Sequence, residues 1–371
     1  MIHLSKLLCG GAFSGDAARF PARPPTSVPV VVWHMTRACN LACRHCYAGA
    51  DAGAGEEMGR DEAFALLRHF AGLKPHAVLF SGGEPLAHPD FFDYLERAVE
   101  LGLRVSLSTN GTMIDAETAR RLARGRVGYV GVSVDGPRDV HDDFRRCGGA
   151  FDRATAGVRH LRDAGCRVGL RFTMARPLLP YLREVMELAE NTGVQRICFY
   201  HFIPTGSGAE ETSMCPEREE MRGALRRIFA WVNGGGGAGR PPEEVLTVGN
   251  FADGLYLYLL LKENGDARAE GVLRLLRRGG GGRSGRGIAS VRWDGALFAD
   301  QFSWDRPLGR WSDLGGAGAG EAAPRVSGRC GRCAWADLCR GNMRARARAL
   351  TGDDLGEDPG CVLMEDEVAA G

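Results

Sequence analysis

The chain has 371 residues, 44% of them hydrophobic, enough for one large domain and a smaller one, each with a core. Forty-seven basic residues balance 46 acidic ones to a net charge of +1, so there is no broad electrostatic footprint for nucleic acid. No apolar run approaches the roughly 18–20 residues that a transmembrane helix needs.

In chain order, residues 1–27 read as an N-terminal arm that ends in the proline-rich Phe20-Pro21-Ala22-Arg23-Pro24-Pro25. Leu7-Leu8-Cys9-Gly10 follows too short a leader to be read as a lipoprotein cleavage site. The twelve cysteines are therefore expected in a reducing cytoplasm, where clustered thiols mean metal or catalysis rather than disulfides. Short apolar strands are predicted at 28–34, 76–81, 104–108, 127–134, 166–174 and 195–201. Amphipathic helices are predicted between and after them at 57–72, 89–101, 115–123, 151–164 and 180–192. That alternation gives an α/β fold, a partial (β/α)6 barrel over 28–233, with chemistry on the loops that leave the strand C-terminal ends. A helix at 217–232 and a glycine-rich linker at 234–239 close this unit. The remainder, 234–371, carries further glycine runs at 279–282 and 315–320 and a β-hairpin across 288–304 that turns at Asp294-Gly295. It reads as a small, loop-rich auxiliary domain, poor in core and held together by metal.

The first chemical motif follows the first strand: Cys39, Cys43 and Cys46, spaced by three residues and then two. Fe–S clusters normally take four thiolates. Three at this spacing tie down three irons of a [4Fe–4S] cube and leave one corner for another ligand. The amino and carboxylate groups of S-adenosylmethionine (SAM) suit that corner. A zinc knuckle is the bland alternative, but His45 stands too close to Cys46 to complete it easily. Ser81-Gly82-Gly83-Glu84-Pro85 ends the second strand; its glycines permit close backbone approach, and Glu84 can accept from a cationic amine. Ser108 and Asn110 at the third strand end, and Ser133 at the fourth, are placed for ribose hydroxyls or for plain turns. Arg171, inside an apolar strand, needs a partner, and a carboxylate suits its planar fork. His45 can pack near adenine or beside the cluster.

The second motif is C-terminal: Cys330, Cys333, Cys339 and Cys361, four thiolates that can close either zinc or a second [4Fe–4S] cube. The remaining cysteines, Cys9, Cys147, Cys166, Cys198 and Cys215, lack ligand spacing, and Cys166 and Cys198 read as core. His34, His141 and His201 fall near strand ends or mouth loops and read first as ordinary hydrogen bonders.

On the three cysteines and Gly82-Gly83-Glu84-Pro85 the chain resembles the radical SAM superfamily, and its closing cysteines resemble members with a SPASM/twitch-type auxiliary domain. Pro29-Val30-Val31-Val32-Trp33-His34, His141-Asp142-Asp143-Phe144-Arg145, Phe251-Ala252-Asp253-Gly254, Asp300-Gln301-Phe302 and Gly341-Asn342-Met343-Arg344 resemble the tetrapyrrole-modifying members of the alternative heme and heme d1 routes. The segment from Met1 to Gly10 is similar to the didecarboxysiroheme deacetylases among them. His34, Arg340 and Gly309-Arg310-Trp311 depart from the pattern, and none of them is itself a cluster ligand. The resemblance implies a SAM-binding [4Fe–4S] cluster, SAM, an auxiliary [4Fe–4S] cluster, and reduced flavodoxin or ferredoxin as electron donor. It also implies a tetrapyrrole substrate that loses acetate arms to give iron-coproporphyrin, with Arg145, Arg292 and Arg344 as carboxylate clamps. The competing expectations are a heme d1 enzyme that installs oxo groups, a peptide maturase, and a non-enzymatic Fe–S carrier or zinc scaffold.

Overall fold

The computed structural model describes residues 1–13, 16–20, 30–49, 57–234, 239–315 and 325–369. Six short strands rich in β-branched and aromatic residues form its centre: β2 (Val30–His34), β3 (Ala77–Ser81), β4 (Val105–Thr109), β5 (Tyr129–Ser133), β6 (Val168–Met174) and β7 (Arg196–His201). They pair in parallel and in sequence order. Parallel strands tend to be covered on both faces, and most of these read as near-continuous apolar runs; β4 alternates, burying Val105, Leu107 and Thr109. These are the six strands expected of the partial barrel; positions 28 and 29 of the first lie outside the described residues.

The sheet does not stop there. β8 (Glu244–Val248) joins β7 in parallel, and β1 (Ile2–His3) caps β8 antiparallel. On the other side β9 (Ile288–Val291) lies parallel to β2, and β10 (Ala296–Phe298) and β11 (Gly309–Arg310) follow antiparallel. The full order is β1-β8-β7-β6-β5-β4-β3-β2-β9-β10-β11. The hairpin expected at 288–304 is the β9–β10 pair, and Gly295 turns it with φ +82°. Its parallel docking on β2 was not legible, because it joins strands more than 250 residues apart.

The helices of the βα units are Arg60–Leu73, Phe91–Glu100, Ala116–Arg124, Ala150–Asp163 and Leu182–Thr192. Arg218–Val232 follows, started by a reciprocal cap between Glu217 and Glu220. An extra helix, Arg138–Arg145, sits in the β5 connection. Beyond the glycine run, of which 235–238 lie outside the described residues, the chain is richer in core than expected. Ala252–Glu263 buries Leu255, Tyr256, Leu257 and Tyr258 in succession, so it shows no helical period. Ala269–Gly279 buries Val272, Leu273 and Leu276.

The first nine residues are not an extended arm. Helix Leu4–Cys9 buries Leu4, Leu7 and Leu8 and packs on β8 and on helices Arg218–Val232 and Ala269–Gly279. The proline-rich 21–25 and the run 316–320 lie outside the described residues. One apolar cluster runs from Leu4 through Phe80, Phe172 and Trp231 to Leu363, so both ends of the chain share the barrel's core.

Candidate active site

β2 ends at His34 and the chain enters the cysteine run, whose course is set by β3's exit loop. Met35 N–H donates to the Ser81 carbonyl at 2.9 Å, Gly83 N–H to Thr36 at 2.8 Å, and Glu84 N–H to Ala38 at 2.9 Å. A Cβ on Gly82 would stand 2.5 Å from the Thr36 oxygen, and one on Gly83 2.2 Å from that of Ala38. The two glycines are therefore required by the backbone of the cysteine loop itself. Glu57 Oε1 accepts from the Thr36 hydroxyl and the Arg37 N–H, and Ser207 N–H closes the far end on the Cys46 carbonyl at 2.8 Å.

A cavity of about 130 Å³ opens at the strand C-terminal ends. Cys39, Cys43 and Cys46 line it, with Gly82, Gly83, Ser108, Asn110, Ser133, His45 and Arg171. Of the residues expected around the first cysteine site, Glu84 is the exception. It is fully buried; its Oε1 accepts from the Thr109 hydroxyl at 2.7 Å and Leu86 N–H, its Oε2 from Asn110 N–H at 2.7 Å. Burial pushes its pKa up to about 6 against those hydrogen bonds. The Glu84 carboxylate thus ties the end of β4 to the loop that leaves β3. Asn110 also has structural work, donating to Asn40 Oδ1 at 2.8 Å and lying 4.0 Å from the Cys39 sulfur. The Arg171 side chain makes no hydrogen bond or ion pair within the described residues, and its guanidinium lies over the Tyr200 ring at 4.6 Å.

Behind Cys43 stands a buried charge pair. Arg145 forks onto Asp135 at 2.8 and 2.6 Å and reaches the Cys43 sulfur at 3.6 Å. Asp135 also accepts from Thr173 N–H and faces His45 Nε2 at 3.4 Å. Burial opposes its charge, yet Arg145, His45 and His141 hold its pKa at about 2. Burial pushes the Cys39 thiol up to about 12, and thiolate ligation to a metal would have to overcome that. His34, by contrast, is fully buried against Tyr47 and Trp304, with both ring nitrogens unpartnered among the described residues.

The three expected carboxylate clamps have other work. Arg145 belongs to Asp135; Arg292 forks onto Asp294; Arg344 donates to the Asp354 and Gly356 carbonyls. Sequence reasoning gave no role to Asp135, Tyr47 or Tyr200. The first stands in the Ser133-Val134-Asp135-Gly136 run, but its partner Arg145 is a helix away.

Burial pushes the Cys339 thiol well above its ordinary pKa, and the nearby Cys361, Cys330, Asp358 and Cys333 add to that shift. Among the described residues no three thiol, imidazole or carboxylate groups stand close enough for a single metal ion. One zinc draws its sulfurs to about 2.3 Å, whereas a cubane spreads its ligands around a larger body. The Cys361 loop is anchored by Asp358, which Arg346 meets bidentately at 2.8 and 2.7 Å. Asn342 donates to Asp358 Oδ2 at 2.8 Å and to Asn250 Oδ1 at 2.6 Å, and Asn250 donates to the Gly360 carbonyl at 2.8 Å. Asn250 also approaches His201 at 3.4 Å, and His201 bonds Asp253 at 2.9 Å. His201 lines the first cavity, so one buried polar bridge runs between that cavity and the Cys361 loop.

Residues 33–199 match the Radical SAM superfamily. Over 99% of its length the chain is 40% identical to Fe-coproporphyrin III synthase of Methanosarcina barkeri, and it covers 99% of that protein. The chain belongs to the radical SAM superfamily. This radical SAM protein is also 35% identical to pre-heme d1 synthase of Dinoroseobacter shibae, over 92% of the chain and 88% of that relative. Its fold is shared with Streptococcus suis SuiB bound to S-adenosylmethionine, at a TM-score of 0.69 and 12% identity, covering 91% of this chain and 78% of that one. The family's [4Fe–4S] cluster and SAM fit the residues present. Three thiols converge on the cavity, and Ser108, Ser133 and the unpaired Arg171 offer polar atoms to it. No helix among the described residues is long and apolar enough to cross a membrane.

Proposed function

We propose that this radical SAM protein removes acetate side chains from didecarboxysiroheme to give iron-coproporphyrin. The observation that carries this reading is the end-to-end likeness, at 40% identity, to a protein named Fe-coproporphyrin III synthase. When bound, the cluster and SAM supply the 5′-deoxyadenosyl radical that opens the substrate C–H bond.

The chain's own residues do the rest. Cys39, Cys43 and Cys46 hold the cube by three corners. The Gly82-Gly83 backbone, Ser108, Asn110, Ser133 and His45 shape the SAM seat, and Arg171 takes the SAM carboxylate. Glu84 and the Asp135–Arg145 pair act indirectly, by holding the loops that carry these groups. Cys330, Cys333, Cys339 and Cys361 hold an auxiliary [4Fe–4S] cluster, a choice over zinc supported by the radical SAM match of residues 33–199 ahead of them. In functional terms, residues 28–233 carry the radical site and 234–371 the auxiliary one, with 1–27 ahead of them. Reduced flavodoxin or ferredoxin, in a reducing cytoplasm, is the electron source this reading requires.

The test is anaerobic turnover: reconstituted, reduced protein with SAM and didecarboxysiroheme, products read by mass. Iron-coproporphyrin is the expected product. Dioxo products would instead support the second reading, favoured by the 35% identity to pre-heme d1 synthase. An untouched tetrapyrrole beside 5′-deoxyadenosine would remove both.

A further inference from the structure

A second cavity, of about 730 Å³, meets the first at Arg171, Tyr200, Gln301 and Phe302, which line both. Its volume lies within the roughly 300–1,000 Å³ of small-molecule sites. Leu79, Ser106, Tyr129 and Cys198 from β3, β4, β5 and β7 wall it, so it occupies the space that a closed barrel would fill with side chains.

The charge of these walls is one-sided. Arg104, Arg167, Arg171 and Arg196 line the cavity from the barrel, and Arg19 and Arg283 from flanking segments. Among the described residues Asp300 is the one carboxylate in the lining, and it is already occupied by Ser284, by Ser303 and by the Phe302 N–H at 2.9 Å. Glu244, behind the wall, is shared by Arg19, Arg167 and Arg196. Two of the guanidinium groups show the surplus directly. Arg283 donates to the Ala18 and Arg19 carbonyls at 2.9 and 3.2 Å and, among the described residues, to no carboxylate. Burial and the neighbouring Arg340 push its pKa down, the reverse of what an ion pair does. Arg104 meets a His76 ring nitrogen at 2.8 Å and likewise, among the described residues, no carboxylate.

Resting on the tetrapyrrole reading above, we infer that this cavity seats the macrocycle, with Arg104 and Arg283 gripping its carboxylate arms and its opposite edge reaching the first cavity past Tyr200 and Phe302. Planar guanidinium forks match carboxylates bidentately, and the aromatic and aliphatic walls suit the face of a conjugated ring. A substrate that brings several negative charges neutralises a cavity whose lining carboxylate, Asp300, is already engaged.

The experiment is equilibrium titration of the anaerobic reconstituted protein with coproporphyrin, which carries four propionates, and with its tetramethyl ester, read by the porphyrin absorption band. Wild type should prefer the tetra-acid. Arg283→Gln and Arg104→Gln should each reduce that acid-over-ester preference about tenfold, the weight of one charge-assisted hydrogen bond. Equal affinity for acid and ester, or folded variants with an unchanged preference, would overturn the inference and leave the tetrapyrrole reading standing. No binding of either porphyrin would overturn the reading itself. The two arginines sit on different segments, and thermal melts identify any variant that fails to fold.

Discussion

Gly83 shows how one missing carbon can hold a catalytic loop in place. The nearest atoms to a Cβ there are the Ala38 and Arg37 carbonyl oxygens at 2.2 and 2.6 Å, which are backbone and cannot swing aside. Gly83→Ala should therefore displace the cysteine loop and cost about 1–3 kcal/mol. Iron retained after anaerobic reconstitution should fall with the melting temperature; full iron content at wild-type stability would refute the claim. Asp135 makes the complementary point with charge. Its folded pKa of about 2 lies below the roughly 3.9 of an unfolded aspartate. A depressed carboxylate stabilises above the unfolded value and loses that contribution as pH falls through the folded one. Wild type and Asp135→Asn should thus differ by roughly 2–3 kcal/mol at every pH above about 5, and converge as pH falls towards about 2, in urea unfolding of the cluster-free protein. A difference that ignores pH would mean the pair does not carry the charge assigned to it.

At the scale of elements, β8 is the instructive case. It begins with Glu244, a charge at the head of a five-residue strand that follows a glycine run, so local pattern argues against a buried strand. The fold makes the position tenable by surrounding Glu244 with Arg19, Arg167, Arg196 and His3. β8 then takes β1 as its edge partner, and helix Leu4–Cys9 packs on the same strand. Leu4 is 0% exposed at that joint. Leu4→Ala should cost about 2–5 kcal/mol, measured by chemical denaturation. A loss under about 1 kcal/mol would show that the first residues are an appendage after all.

Across the whole molecule, one buried polar bridge through His201, Asn250, Asn342 and Asp358 runs between the first cavity and the Cys361 loop. The chemistry of the two cysteine sites should nonetheless separate. Cys43→Ala should abolish SAM cleavage, whereas Cys333→Ala should keep uncoupled cleavage to 5′-deoxyadenosine while substrate turnover stops. Coupled turnover in Cys333→Ala would show the second site to be dispensable. Much of this was legible in the residues alone: the three-cysteine spacing, the Gly-Gly-Glu loop and the strand–helix alternation are local patterns, and local patterns report backbone periodicity and short-range ligation. By itself the sequence determined the barrel strands β2 to β7 and the hairpin, and it singled out the Cys39, Cys43 and Cys46 run that lines the first cavity. The tertiary structure alone decided that Glu84 turns inward to β4, that Arg145 serves Asp135, that the chain's two ends complete the sheet, and that arginines distant in sequence crowd one cavity. Those outcomes depend on which distant groups meet in the low dielectric of the interior, where a charge or a polar atom takes whichever partner the packing brings within reach.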